Sequence, residues 1–306
     1  MIRIIFYITT YLITTVFTFS QVKSKNILIK NDSIELPGTL TYLSKKTPLI
    51  IWVHGSGNVD RNGNQGKIIK ANYIQKFREA ITVNDIAFFS YDKRTSNPKN
   101  YKFFKKIVFE DLVNDVEKVI DYFKNDQRFS EIILIGHSQG SLIGMLASKN
   151  VDKYISIAGS ANTIDKTIIQ QVNKQNKQLG DITKSHFEEL LNTGNIKQVN
   201  PLLISIFAEQ NLPFISSWIS YNPIKEIKKL TIPTLIINGN KDLQVQVEDA
   251  KLLHKSNSIT TLNIIDKMNH ILIELEKDSD NLKSYYSSEY MISDELIVSI
   301  LNFINK

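Results

Sequence analysis

One stretch of the sequence, in which a strand-like run, a tight turn and a helix-like run follow each other, constrains the fold most. The apolar residues 132–135 lead into GHSQG at 136–140, and apolar residues at helical spacing follow. In a G-x-S-x-G turn of this kind the serine occupies a strained strand-to-helix corner, where the glycines let backbones pass closely. We therefore expect the Ser138 hydroxyl to point out of the sheet, beside helix N–H groups that favour a developing negative charge.

Apolar strand-like runs alternate with helix-like segments over most of the chain. A hairpin is predicted over 27–43, and further strand-like runs follow it, at 49–53, 86–91, 132–135, 154–158, 234–238 and 261–265. This alternation predicts an α/β fold whose sheet is mostly parallel, doubly wound and covered by helices on both faces.

The alternation of strand-like and helix-like segments stops between residues 161 and 222, where the sequence is polar and helix-like and contains no convincing strand. This segment follows the sixth predicted strand. An insertion at that point lies over the carboxyl ends of the strands, where open α/β sheets bind ligands. We therefore predict a helical cap at about 161–222.

The first twenty residues have the features of a leader. They carry Arg3, no acidic residue, and an apolar run that ends in small residues before Gln21, as secretory signal peptides do. We expect a signal peptide at 1–20, a mature domain at 21–306, and export to the periplasm or the outside of the cell. The alternative is an uncleaved N-terminal anchor; after cleavage no stable membrane span is expected.

Charge and cysteine content narrow the possible partners and chemistry. The net charge is +6, but the lysines are dispersed between apolar residues, which argues against a nucleic-acid partner. The chain contains no cysteine, so thiol nucleophiles, disulfides and thiolate metal sites are excluded. The sequence implies no metal and no organic cofactor, and catalysis has to use oxygen and nitrogen groups.

A serine nucleophile needs a histidine to take its proton and a carboxylate to hold the tautomer of that histidine. The strand at 234–238 leads to Asp242, and the loop after the strand at 261–265 carries His270. Ser138, Asp242 and His270 all follow predicted strands, and they form the predicted catalytic triad. Three other acidic residues compete with Asp242, which is preferred because it follows the buried strand at 234–238: Asp266, Glu248 and Asp249. The remaining histidines fit the base less well: His54, His137, His186 and His254.

Attack on an ester carbonyl creates an oxyanion, which needs two preorganised N–H donors. The backbone N–H of Gln139, the residue after the nucleophile, is expected to be one of them. The second is expected from HGSG at 54–57, in the loop after a buried strand. We favour the N–H of Ser56 there, with Gly57 as the alternative.

Four segments together resemble the α/β-hydrolase superfamily over nearly the whole mature length: HGSG (54–57), GHSQG (136–140), GNKD (239–242) and MNH (268–270). More narrowly, HGSGNVDRNGN resembles a segment of secreted bacterial esterases and serine-hydrolase-like proteins. The resemblance implies a serine hydrolase, most often a carboxylesterase, with Ser138, Asp242 and His270 as its triad and a small acyl ester as its substrate. Asn58 replaces the proline that is usual in that segment.

Two other functions use the same scaffold. An aminopeptidase or amide hydrolase would need an acidic group under the cap to bind the substrate amine, and several acidic residues lie in or near that segment: Asp165, Asp181, Glu188, Glu189 and Glu209. A binding protein that has lost its chemistry would be expected to lack a member of the triad, whereas all three residues are present here.

Overall fold

The computed structural model describes residues 21–44, 46–104 and 106–306; the predicted leader, 1–20, lies outside the described residues. These residues contain eight strands: β1 Lys23–Asn31, β2 Ile34–Tyr42, β3 Thr47–Val53, β4 Ala87–Tyr91, β5 Phe129–His137, β6 Lys153–Ile157, β7 Thr234–Gly239 and β8 Thr260–Ile265. Their order across the sheet is β1-β2-β4-β3-β5-β6-β7-β8. β2 is antiparallel to both β1 and β4, and the other neighbouring pairs are parallel. Each predicted strand overlaps one of the eight, so the mostly parallel sheet is confirmed.

The described residues also contain ten α-helices: α1 Tyr73–Thr82, α2 Phe109–Phe123, α3 Gln139–Ala147, α4 Ile164–Gln175, α5 Lys177–Thr193, α6 Ile204–Phe207, α7 Leu212–Ile219, α8 Pro223–Ile227, α9 Val247–Ser256 and α10 Asp294–Ile304. Helices α1 and α10 pack on one face of the sheet, and α2, α3, α8 and α9 pack on the other. This arrangement is the predicted doubly wound one. None of the described helices combines the length and the apolar character that a membrane-spanning helix requires.

Strand β3 explains why the buried strands read as continuous apolar runs. Ile50 and Trp52 belong to the apolar layer under α1 and α10, whereas Leu49, Ile51 and Val53 belong to the layer under α2 and α3. All five side chains are at most 1% exposed. Because β3 is buried on both faces, it cannot alternate between apolar and polar residues.

Between β6 and β7 the chain forms helices and no strand, so a helical insertion follows the sixth strand as predicted. Helices α4 to α7, residues 164–219, form the cap, whereas α8 packs on α3 and α9. The cap has an apolar core of its own, separate from the two layers of the sheet: Phe187, Leu190, Ile196, Leu203, Phe207, Leu212 and Ile215.

The order of the strands brings the loops of the predicted site to one edge of the sheet. β4, β3 and β5 are parallel neighbours, so the loops after Tyr91 and Val53 and the corner at Ser138 lie side by side. β7 and β8 are also parallel neighbours and add the loops after Gly239 and Ile265 at the same edge. The carboxyl edge of the sheet therefore carries every residue that the sequence predicts for catalysis.

Gly140 marks a close approach of α3 to the sheet. A Cβ atom here would overlap the backbone carbonyl oxygens of Val53 and His54, and such atoms have little freedom to move away. We predict that Gly140→Ala lowers the free energy of unfolding by about 1–3 kcal/mol, the usual cost of overpacking. Urea unfolding of the purified variant measures this loss.

Gly194→Ala is the matched control for this prediction. Gly194 ends α5 with a φ of 74°, and a Cβ there meets no atom within 4 Å. Its replacement should cost about 1 kcal/mol, from the left-handed backbone conformation alone. An equal or larger loss in Gly194→Ala would contradict the importance of the packing at Gly140.

Two buried histidines lie at the carboxyl edge. The Nε2–H group of His54 donates to the carbonyl oxygen of Tyr91, and that of His137 donates to the carbonyl oxygen of His270 at 2.8 Å. Burial penalises the charged imidazolium, and it lowers the pKa of His54 to about 4 and the pKa of His137 to about 3. Both histidines are therefore neutral in the folded protein near neutral pH.

Acid should therefore destabilise the fold. In the unfolded chain a histidine has a pKa near about 6.5, so the unfolded state binds more protons than the folded state below that pH. We predict that the free energy of unfolding in urea falls between about pH 6.5 and about pH 4, by up to about 1.4 kcal/mol per pH unit for each buried histidine. His54→Gln keeps a donor for Tyr91 but does not titrate, and it should reduce this slope. An unchanged slope in that variant would count against the prediction.

Candidate active site

Ser138 occupies the corner between β5 and α3. Its backbone has φ 54° and ψ −119°, a strained conformation for a residue with a side chain, and its N–H donates to the carbonyl oxygen of Ile157 at 2.9 Å. The residues on either side, His137 and Gln139, are buried, whereas Ser138 is partly exposed. The strained corner thus presents the hydroxyl at the surface of a cavity, as the sequence predicts.

Asp242 and His270, which are 28 positions apart, meet at the same edge. The Nδ1 atom of His270 lies 2.7 Å from Oδ2 of Asp242, and both side chains are buried. Oδ1 of Asp242 accepts the backbone N–H groups of Gln244 at 2.7 Å and Val245 at 2.9 Å. The carboxylate is held from both oxygens. An Nδ1–H that donates to it leaves Nε2 of His270 as the basic nitrogen.

Ser138 and His270 face each other across a small cavity of about 70 Å³, which Gly55 and Tyr285 also line. Among the hydrogen bonds of the described residues, none joins Ser138 Oγ to the His270 ring. The hydrogen bond between a nucleophile and its base commonly tightens only when substrate is bound. The structure therefore brings the three predicted residues to one place, with the hydrogen bond between Asp242 and His270 already formed.

His137 is a residue of the site that sequence reasoning missed. Its ring donates to the backbone of His270, as described above, and its Nδ1 atom lies 3.4 Å from the Tyr73 hydroxyl. This contact fixes the backbone that carries the predicted base. No local pattern of the sequence predicts this contact, because its acceptor is a backbone carbonyl 133 positions further along the chain.

The three acidic residues that compete with Asp242 make other contacts. Asp249 Oδ1 accepts the backbone N–H of Ala161 at 2.9 Å, where the chain leaves β6 for the cap. Asp266 accepts the Asn240 side chain at 2.6 Å, and Glu248 pairs with a lysine on its own helix. Of the four acids, Asp242 is the one that contacts His270. No group of three potential metal ligands comes together in the part of the chain that the structure describes.

The HGSG loop passes directly beside Ser138. A Cβ atom at Gly55 would lie 3.3 Å from Ser138 Cβ and from His137 Nδ1, so the loop packs closely against this corner. Ser56 lines both the small cavity and a larger one, whereas Gly57 lines neither. Gln139 is the first residue of α3, and its N–H has no acceptor within the helix. Ser56 and Gln139 thus flank Ser138, where the predicted oxyanion donors should be.

The larger cavity, of about 430 Å³, separates Ser138 from the cap. The cap contributes apolar side chains, which include Ile164, Ile168, Phe214, Ile215 and Trp218. Neutral polar side chains also line it, among them Ser160, Asn162, Thr167, Gln171 and Gln244. Among the residues that the structure describes, none that lines this cavity is charged. The cap acids that could bind a substrate amine all lie elsewhere.

The cap is tied to the sheet near this cavity by aromatic contacts. Trp218, which lines the cavity, stacks on Phe109 with ring centroids 5.2 Å apart and planes at 10°. The Tyr221 hydroxyl donates to Glu110 at 2.7 Å, and the N–H of Phe109 donates to Ser217 Oγ at 2.7 Å. The first turn of α2 therefore anchors the C-terminal end of the cap.

Comparisons with known proteins agree with this architecture. Esterase EstD of Thermotoga maritima is 26% identical over 262 residues, which are 80% of this chain and 60% of that protein. The chain thus spans about 60% of the length of this curated relative. Est1E from Butyrivibrio proteoclasticus with bound ferulic acid is 19% identical, with a TM-score of 0.60 over 92% of this chain and 100% of that one.

The Pyrococcus furiosus esterase Pf2001 gives a TM-score of 0.60 at 14% identity, over 92% of this chain and 90% of that one. These likenesses confirm the predicted α/β-hydrolase fold. A family model described as BD-FAE matches residues 39–256, which is well over half of the sequence. The match includes β3 to β7, the strained serine corner and Asp242. The chain therefore belongs to the BD-FAE family.

Proposed function

We propose that this protein is a carboxylesterase-like serine hydrolase that forms an acyl-enzyme on Ser138. The observation that carries the proposal is the buried Asp242–His270 pair, with 2.7 Å between Oδ2 and Nδ1, beside a serine in a strained corner. EstD and Pf2001 are both named as esterases, which supports the same reaction class. A complete and buried acid–base pair disfavours a binding protein that has lost its chemistry.

In the proposed first step, Nε2 of His270 takes the proton of Ser138 Oγ as this oxygen attacks the ester carbonyl. The resulting oxyanion accepts hydrogen bonds from the backbone N–H groups of Gln139 and Ser56. Asp242 stabilises the imidazolium, which then gives its proton to the departing alcohol. Water attacks the acyl-enzyme with His270 again as the base, which releases the acid and restores Ser138.

The larger cavity favours an ester over a substrate with a free amine. Its lining is apolar or neutral, and a buried ammonium group without a carboxylate partner would be strongly disfavoured. Asp165, Asp181 and the other acidic residues considered for an aminopeptidase do not line it. We therefore infer that the substrate presents an uncharged group to the cap, and the aminopeptidase becomes the weaker alternative.

The first prediction concerns the nucleophile. Ser138→Ala should lower the turnover of short-chain 4-nitrophenyl esters by about 10³-fold or more, because no acyl-enzyme can form. Ser205→Ala is the matched control: Ser205 lines the same cavity, and its loss should leave turnover nearly unchanged. Ester turnover retained in Ser138→Ala would refute the mechanism. Ser138-dependent turnover of aminoacyl 4-nitroanilides, with none of esters, would instead establish a peptidase.

The second prediction concerns the acid. Asp242→Asn should lower kcat by about 10²–10⁴-fold with little change in KM, because the amide no longer holds the tautomer of His270 or stabilises its charged form. Steady-state kinetics on one 4-nitrophenyl ester measure both constants. Asp266→Asn removes an acidic group from the loop after β8 that contacts Asn240 rather than His270, and its kinetics should match the wild type. Similar losses in both variants would argue against a specific role of Asp242.

A further inference from the structure

Lys93 is a buried lysine behind the HGSG loop. It follows β4, its backbone N–H donates to the carbonyl oxygen of Val59 at 3.1 Å, and its side chain is only 6% exposed. Because β4, β3 and β5 are neighbours, the residue after β4 lies beside both the HGSG loop and the start of α3. A lysine at this position reaches both segments at once.

The ammonium group of Lys93 makes two short hydrogen bonds. Nζ donates to the carbonyl oxygen of Gly55 at 2.8 Å and to Oε1 of Gln139 at 2.6 Å. The oxygen of Gly55 belongs to the same peptide group as the N–H of Ser56. Gln139 carries the second N–H of the proposed oxyanion hole. One side chain therefore contacts the peptide group or the residue of each proposed donor.

These contacts have a direct effect on the donors. A peptide group is planar, so a bond that fixes the Gly55 carbonyl also fixes the direction of the Ser56 N–H on the other side. Donation from an ammonium group polarises the peptide and makes its N–H a stronger donor, since hydrogen bonds in a chain reinforce each other. An oxyanion hole works by such preorganisation, because its donors need no rearrangement when charge develops.

The burial of Lys93 costs free energy of folding, because its charged form loses the hydration that it has in water. Burial penalises its charged form and lowers the pKa of Lys93 to about 7. Asp115, the acidic residue whose charge opposes this shift, has both carboxylate oxygens engaged by Arg94, at 2.7 and 2.8 Å. Among the ion pairs of the described residues none includes Lys93, so two neutral oxygens accept its hydrogen bonds. An apolar side chain would avoid this cost.

We propose that Lys93 is a positioning residue of the oxyanion hole, which aims the N–H groups of Ser56 and Gln139 at the oxygen of the transition state. The inference rests on the proposed ester hydrolysis. Lys93 lines neither the larger nor the small cavity, so it acts through the backbone and does not touch the substrate.

The test compares Lys93→Met with the wild type on a short-chain 4-nitrophenyl ester. Methionine keeps the length of the side chain but cannot donate. We expect kcat to fall by about 10- to 100-fold, which is less than the fall of about 10²–10³-fold in kcat when a direct oxyanion donor is removed. KM should change by less than about threefold, because Lys93 does not touch the substrate. Lys153→Met is the matched control, because Lys153 donates to the carbonyl oxygen of Ile304 at the opposite edge of the sheet. Its kcat should be unchanged.

A second readout separates positioning from general stability. A boronic acid adds to a serine Oγ as a tetrahedral anion, whose oxygen occupies the oxyanion hole. Its inhibition constant should rise in Lys93→Met by about the factor by which kcat falls, whereas the inhibition constant of a neutral short-chain alkyl alcohol should stay constant. If Lys93→Met does not fold, Gln139→Met tests the inference instead. This variant removes the hydrogen bond from Lys93 Nζ to Gln139 Oε1 and keeps the backbone N–H of residue 139. Its kcat and its affinity for the boronic acid should fall together.

The outcomes distinguish this inference from the proposed function. No Ser138-dependent ester turnover in the wild type overturns both. Ser138-dependent turnover with wild-type kcat in Lys93→Met overturns the role of Lys93 alone. A fall in kcat without a matching loss of boronic acid affinity, or an equal fall in Lys153→Met, assigns Lys93 a structural role and also overturns the inference.

Discussion

The contact between α3 and the end of β3 at Gly140 is the constraint on which the rest of the site depends. With no side chain between them, the helix begins directly against the carbonyl oxygens of Val53 and His54. The turn before the helix must then be very short, and Ser138 adopts a positive φ of 54°. The same contact places the N-terminus of α3 beside the HGSG loop. Strain, exposure of the hydroxyl and proximity of the donors thus share one cause.

The predicted acid and base are supplied by a different part of the sheet. β7 and β8 deliver Asp242 and His270, and the carboxylate is held by backbone N–H groups of its own loop. His137 connects the two parts, because it belongs to the strand before Ser138 and contacts the backbone of His270. The neutral state that burial imposes on His137 suits this role, since an imidazolium beside the predicted base would oppose the positive charge that His270 acquires.

Much of this arrangement could be predicted from the sequence, because it depends on local patterns. The strands are buried on both faces and appear as apolar runs, and the residues of the predicted triad follow three of them. The contacts of His137, Lys93 and Asp249 could not be predicted. Each joins positions that are distant in sequence, and a hydrogen bond to a backbone N–H or carbonyl group places no demand on the residue type at the other end. The neutral lining of the cavity depends in the same way on which faces of the cap helices turn inward.

The separate core of the cap has a consequence for substitutions in this part of the chain. The cap core, centred on Phe187 and Phe207, is distinct from the two apolar layers of the sheet. The cap joins the sheet through a few defined attachments: Asp249 where it begins, and Tyr221 and Phe109 where it ends. Substitutions inside this core can therefore change the cap without altering the contacts at the carboxyl edge of the sheet.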